Sequence, residues 1–114
     1  MKARLLPAAQ RELSKAAKFY EAARAGLGIE FIGEFDKAVE TILDNTRIGQ
    51  VVVETGSDVL QEFILSRFPY RLIYSIETDA ILIIAVAHQH RQLLYWRGRV
   101  RETRPCYELQ RSAA

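Results

Sequence analysis

Residues 67–95 read RFPYRLIYSIETDAILIIAVAHQHRQLLY, and the fold is decided there. Tyr70, Leu72, Tyr74 and Ile76 alternate with Arg71, Ile73, Ser75 and Glu77, which is the two-residue period of a strand. Thr78 and Asp79 then offer a tight reversal. The following run, AILIIAVA at residues 80–87, is far shorter than the roughly 20 apolar residues of a membrane span. It is also too rich in β-branched side chains to favour a helix, so it predicts a strand buried on both faces, the central one of its sheet. Beyond it the character changes at once to His88, Gln89, His90, Arg91 and Gln92, then to Tyr95, Trp96, Arg97 and Arg99. Any polar function starts where this strand leaves the core.

Upstream, residues 2–6 end at Pro7. Proline suits the first position of a helix, so a brief strand leading straight into a helix is predicted. Ala9, Leu13, Ala16, Tyr20 and Ala23 recur at helical spacing, with Arg11, Glu12, Lys15 and Lys18 mostly on the other side, giving a first helix over residues 7–24. After Gly26, Leu27 and Gly28 a second stripe runs through Phe31, Phe35, Ala38 and Ile42, flanked by Ile32, Val39 and Leu43. So short a link makes an antiparallel helical hairpin, and its aromatic stripe reads as core. Residues 45–57 are a connection with a short extended piece at 51–53. Residues 59–68 resume extended character before a turn at Pro69. The chain therefore reads as an α+β domain of order β-α-α-β-β-β, an antiparallel sheet covered on one face by an N-terminal helical hairpin. One domain is expected over residues 1–100, and residues 101–114, where the periodicity fades, form a loosely held tail.

Composition agrees with this. With 114 residues, 49% of them hydrophobic, the chain is long enough to bury one core without disulfides or a structural metal. The single cysteine, Cys106, has no partner and no neighbouring base, so it reads as a bland thiol. Without a membrane-length apolar stretch or a secretory signal, a cytoplasmic protein is expected. Residues 1–66 carry eight Lys and Arg against ten Asp and Glu, whereas residues 67–114 carry eight Arg, no Lys and four acids. Arginine's planar fork suits carboxylates, phosphates and aromatic faces, so this half points to a macromolecular or acidic partner, or to a plain solvated basic face.

Several chemistries are set aside by what the sequence lacks: a Gly-rich phosphate loop, paired cysteines and a Gly-x-Ser-x-Gly elbow. His88 and His90 stand two apart, on one side of an extended segment, but no third ligand accompanies them; neither a metal nor a cofactor is expected. His88 has two readings, a general acid or base whose ordinary pKa of about 6.5 lies near working pH, or a residue that ties down the strand end by hydrogen bonds. Tyr95 and Trp96 also have two: stacking on bases beside Arg91, Arg97 and Arg99, or folding back over the sheet as core.

Taken in order, the chain contains Pro7-Ala8-Ala9 followed by Glu12-Leu13, then Phe19-Tyr20-Glu21, and Gly26-Leu27-Gly28 with Phe31. Arg67-Phe68-Pro69-Tyr70 with Tyr74 follows, and then Ala85-Val86-Ala87-His88 with Arg91 and Tyr95-Trp96, so that nearly all of residues 3–99 is covered. In that order and spacing the chain resembles the RelE/ParE superfamily of bacterial type II toxins, and in particular its ParE-like branch, linked with plasmid stabilisation. The resemblance implies the same β-α-α-β-β-β arrangement. It also implies a toxin neutralised by a cognate antitoxin, whose extended C-terminal region wraps the toxin's helices and sheet in a hetero-oligomer.

The superfamily divides by mechanism. The ParE-like branch implies inhibition of DNA gyrase by binding, without chemistry, and the residues for such a partner surface are Arg67, His88, His90, Arg91, Trp96, Arg97 and Arg99. The RelE-like branch implies a ribosome-dependent endoribonuclease acting on mRNA, in which basic residues stabilise phosphate charge and a tyrosine near the C-terminus helps activate the ribose 2′-hydroxyl. Its candidates here are Arg71, His88, Arg91 and Tyr95. Glu62 and Ile64 stand where that branch would hold lysines, and Gln89 where it would hold a further arginine. A carboxylate beside the phosphodiester opposes the charge that builds in the transition state, which favours the gyrase reading. Two departures touch the ParE-like branch itself: Leu93-Leu94 replaces a Pro-Gly or similar pair, and Gln61 replaces an arginine common before Arg-Phe-Pro-Tyr. They leave room for a third reading, a module that binds its antitoxin and has lost toxicity.

Overall fold

Strand β5 (Ala80–His88) lies inside the sheet, with β4 (Tyr70–Ile76) on one side and β1 (Lys2–Leu5) on the other. The computed structural model describes residues 1–55, 58–89, 95, 96, 99 and 107–109, with only the backbone of Thr55, Asp58 and residues 107–109. From Ala80 to Ala87 every β5 residue except Leu82 is buried, as a strand covered on both faces requires. With β2 (Gln50–Thr55), β3 (Asp58–Ile64) and β6 (Tyr107–Leu109), the order of the six-stranded sheet is β2-β3-β4-β5-β1-β6.

The α+β arrangement with a covering helical hairpin is as the sequence predicts, and two details of the sheet differ. The extended piece within the connection becomes a full strand, β2, and lengthens the meander to four strands. The sheet is also mixed where an antiparallel one was expected, because β1 runs parallel to β5, from Lys2↔Ala80 to Leu5↔Ile83. An even number of chain reversals separates the two strands, so they point the same way. Outside β1, Tyr107–Leu109 pairs antiparallel as β6. Cys106 and the rest of the predicted tail fall outside the described residues.

Leu6 alone separates β1 from helix α1 (Pro7–Ala23). Its extended backbone, φ −63° and ψ 150°, is what a following proline imposes, and Pro7 then occupies a helical position whose N–H would have no partner anyway. Helix α2 (Leu27–Asp44) returns alongside. The buried residues, Ala9, Leu13 and Ala16 on α1 and Phe31, Phe35, Ala38, Val39 and Ile42 on α2, are the stripes read from helical spacing. Neither helix is long and apolar enough to cross a membrane. The rings of Tyr20, Phe31, Phe68 and Tyr70 meet with centroids 4.9 to 6.2 Å apart, so Arg67-Phe68-Pro69-Tyr70 supplies the aromatic joint between hairpin and sheet.

A bulge sets which side chains of β5 face the helices. Pairing runs Tyr70↔His88, Leu72↔Val86 and Ile73↔Ala85, then steps to Tyr74↔Ile83, leaving Ile84 as the extra residue. Because directly paired residues share a face, Ile81, Ile83, Val86 and His88 all lie on the helix-covered side with Tyr70, Leu72 and Tyr74. Arg71, Ile73 and Ala87 lie on the other.

The turn into β2 is fastened from inside. The Tyr74 hydroxyl donates to the Thr46 carbonyl at 2.8 Å and accepts the Gly49 N–H at 3.0 Å. Buried Gln61 donates from Nε2 to the Gly49 carbonyl at 2.8 Å. A Cβ at Gly49 would fall 2.5 Å from that hydroxyl and 2.7 Å from the Glu62 carbonyl, so only glycine allows the approach. Gln61, a departure from the ParE-like pattern, thus has a structural partner in this chain. Replacing Tyr74 with phenylalanine strands two polar groups of the turn and should lower stability by about 1–3 kcal/mol. A denaturant titration will show this as a lower midpoint at unchanged slope; an unaltered midpoint would mean the turn stands without the hydroxyl.

Candidate functional site

Where β5 emerges from the core, a cleft of about 320 Å³ opens between α1 and the helix-covered face of the sheet. Tyr70, Val86 and His88 line it from the sheet, Glu12, Lys15 and Phe19 from α1, and Tyr95 from the chain beyond β5. His88 meets the edge of the Tyr70 ring, with centroids 5.0 Å apart and planes at 87°. Burial, followed by the neighbouring Tyr20 and Glu12, pushes the Tyr70 phenol above its ordinary pKa, and burial does the same to Tyr20. Both phenols therefore stay neutral at working pH. Phe19, 67% exposed, stands at the rim and leaves apolar surface in water beside Lys15.

Glu12 is the densest point of the cleft. One carboxylate oxygen accepts the Val86 N–H at 3.0 Å and Arg99 Nη1 at 2.7 Å. The other accepts Arg99 Nη2 at 3.1 Å and the Tyr95 hydroxyl. Arg99 also donates to the Ile84 carbonyl at 3.2 Å, and its guanidinium sits 5.0 Å from the centre of the Tyr95 ring. Both charged side chains are about four-fifths buried. Burial alone would lower the Arg99 pKa, but the bonds and charge of Glu12 outweigh it, so the guanidinium stays charged.

The candidate residues fall into separate places. His88 and Tyr95 share the cleft. Arg99 is committed to Glu12. Trp96 is 3% exposed and belongs to the core, the second of its two readings, which leaves little of its ring to offer a partner. Arg67 binds Glu30 at 2.9 Å and Glu34 at 3.4 Å, tying the β3–β4 turn to α2. Hydrogen bonds from Arg67, then from Arg24, hold the Glu30 carboxyl below its ordinary range. Arg71 lies on the opposite face of the sheet from the cleft and pairs with Glu62 at 3.0 Å. His90, Arg91 and Arg97, with Leu93-Leu94, lie outside the described residues. Among the described residues, no three His, Cys, Asp or Glu side chains are grouped to hold a metal.

The sequence reading placed Glu12 with the outward-facing charges of α1, and that is corrected here. Glu12 follows Ala9 by three residues and precedes Ala16 by four, and both alanines are buried. That spacing sets it on the flank of the buried stripe, and this was the available signal. Glu34, also buried, was missed as well; it is three residues past Phe31 on the inner side of α2.

A family model, the ParE toxin of the type II toxin-antitoxin system parDE, matches residues 3–93. This chain belongs to the ParE toxin family. Among solved structures, a chromosomal ParDE toxin-antitoxin system from P. aeruginosa matches with a TM-score of 0.61 at 13% identity. The match covers 77% of this chain and 95% of that one, and at such low identity the likeness is one of fold. Among curated proteins, none matches the chain. The residues that line the cleft, Glu12 among them, lie within the ParE-matched region except for Tyr95, which follows it, as does Arg99, the partner of Glu12.

Proposed function

We propose that this ParE-family toxin acts in the bacterial cytoplasm by binding DNA gyrase, performs no chemistry itself, and is neutralised by a cognate antitoxin. The observation that carries the choice is the separation of the nuclease candidates. Arg71 lies on one face of the sheet and His88 with Tyr95 on the other, so one phosphodiester cannot touch all three. Arg71 and Tyr95 are also engaged in ways that oppose cleavage. The Arg71 charge is offset by Glu62, and the Tyr95 hydroxyl donates to Glu12 instead of facing a ribose. Cleavage needs positive charge gathered where the transition state develops negative charge, and a carboxylate stands beside Arg71 and beside Tyr95 instead. A binder needs only a surface. The cleft provides one, with Phe19 exposed at its mouth and Lys15 and His88 around it, a rim suited to a partner carrying apolar and acidic side chains.

Expression of the chain alone in a bacterium should arrest growth with a DNA-damage response while translation continues. Tyr95→Phe and Arg71→Ala should each keep the arrest within a few-fold, and co-expression of the antitoxin should relieve it. Rapid translational arrest with cleaved mRNA, abolished by either substitution, would instead establish the ribosome-dependent nuclease. Unimpaired growth would mark a module that only binds its antitoxin.

A further inference from the structure

Strand β1 accompanies β5 only as far as Leu5↔Ile83, after which the chain turns through Leu6 into α1. Past that point β5 runs on to His88, and the side of it turned away from β4 presents N–H and C=O groups to no strand among the described residues. An edge of this kind either pairs with another chain or must be covered. Here side chains cover it. Glu12 takes the Val86 N–H and Arg99 takes the Ile84 carbonyl, the two groups a neighbouring strand would have used. The same two side chains grip each other through two hydrogen bonds, and the Tyr95 hydroxyl closes on the same carboxylate. One carboxylate thus joins α1, the open edge of β5 and the chain beyond it.

We propose that Glu12 is a latch: it stands in for the missing strand along the end of β5 and fixes Tyr95, Trp96 and Arg99 against the hairpin. It is a positioning residue for the part of the chain that follows β5, which carries most of the arginines of the second half. Helix propensity alone does not account for a glutamate there, because its charge is withdrawn from water and held by three groups from other parts of the chain. Arg99 serves the latch best as arginine, since its planar fork spans both carboxylate oxygens while one nitrogen also reaches the Ile84 carbonyl, a geometry that lysine cannot match.

Trp96 is the only tryptophan, is buried, and lies in sequence between Tyr95 and Arg99, the two side chains held by Glu12, so its fluorescence reports whether the latch is closed. In Arg99→Ala, which leaves α1 untouched, Trp96 emission should move to longer wavelength and acrylamide quenching should rise several-fold. Cooperative melting followed by far-UV circular dichroism should persist. Amide exchange at Val86 should accelerate by at least tenfold while Leu82 and Ile83, beside β1, stay protected. Glu12→Ala should do the same, and the double variant should be no worse than the more affected single one, because both remove one device. If Glu12→Ala does not fold, Arg99→Ala decides alone. Unchanged emission and unchanged Val86 exchange in Arg99→Ala would overturn the latch, and so would a double variant in which the two single effects simply add.

Discussion

Ile83→Asp should abolish folding altogether. Ile83 is fully buried, paired with Leu5 on one side and Tyr74 on the other, and faces the helices from the middle of β5. Losing its burial costs about 1.5–3 kcal/mol, and confining an unpaired carboxylate there adds several more. A domain of this size has only about 5–15 kcal/mol of total stability to lose. The expected result is an insoluble product, or one without a cooperative thermal transition. Ile64→Asp is the matched control: Ile64 is 54% exposed and lies beside Arg71, so a carboxylate there should change stability by no more than about 0.5 kcal/mol. A soluble, cooperatively melting Ile83→Asp protein would overturn the placement of β5.

The second large effect is expected at Gly28. The link between α1 and α2 is closed by Glu21, whose carboxylate accepts the N–H groups of Gly26 at 2.9 Å and Gly28 at 3.1 Å. A side chain of the first helix thus serves as the cap that the second helix lacks, and its negative charge sits at a helix N-terminus, where it is favoured. Gly26 has φ 88°, which a side chain tolerates poorly. At Gly28 the obstacle is contact instead, because a Cβ would lie 2.6 Å from the Ala17 carbonyl and 3.0 Å from Glu21. Gly28→Val must spread the hairpin and dislodge the cap together. Overpacking of this kind costs about 1–3 kcal/mol and loss of a cap about 1 more, so the melting temperature should fall by roughly 10 °C or more. A Cβ at Gly33, on the same helix, would meet none of its described neighbours within 4 Å, which makes Gly33→Ala a control. It should stabilise the protein by up to about 1 kcal/mol. Equal effects at the two glycines would contradict the close crossing at Gly28.

The elements that the sequence shows plainly are those whose side chains keep a period. The Ala9, Leu13 and Ala16 stripe and the Phe31 to Ile42 stripe each reveal which face is buried, because only one face of each helix is apolar, and the alternation of β4 reveals the strand, although Ile73 on its far face is buried as well. β5 has no such contrast. In AILIIAVA both faces are apolar, so the Ile84 bulge leaves no trace in the pattern, and which side His88 takes depends on that single extra residue. The direction of β1 is hidden for a different reason: parallel or antiparallel pairing follows from where the chain has travelled between β1 and β5, and four residues of β1 carry no record of it. The cleft was half legible. His88 and Tyr95 were singled out by residue type, but Glu12 looked like an ordinary helical charge because its partners, Tyr95 and Arg99, follow more than 80 residues later. Arg67 was singled out for a partner surface and Arg71 as a nuclease candidate, whereas their acidic partners, Glu30, Glu34 and Glu62, come from other elements and left no local signal.

The most direct measurement places purified toxin against both targets in parallel, gyrase with relaxed plasmid in one reaction and translating ribosomes with mRNA in the other. Gyrase binding predicts concentration-dependent loss of supercoiling, or a trapped gyrase cleavage complex, with the ribosome-bound mRNA intact. Cut mRNA beside fully active gyrase would contradict it.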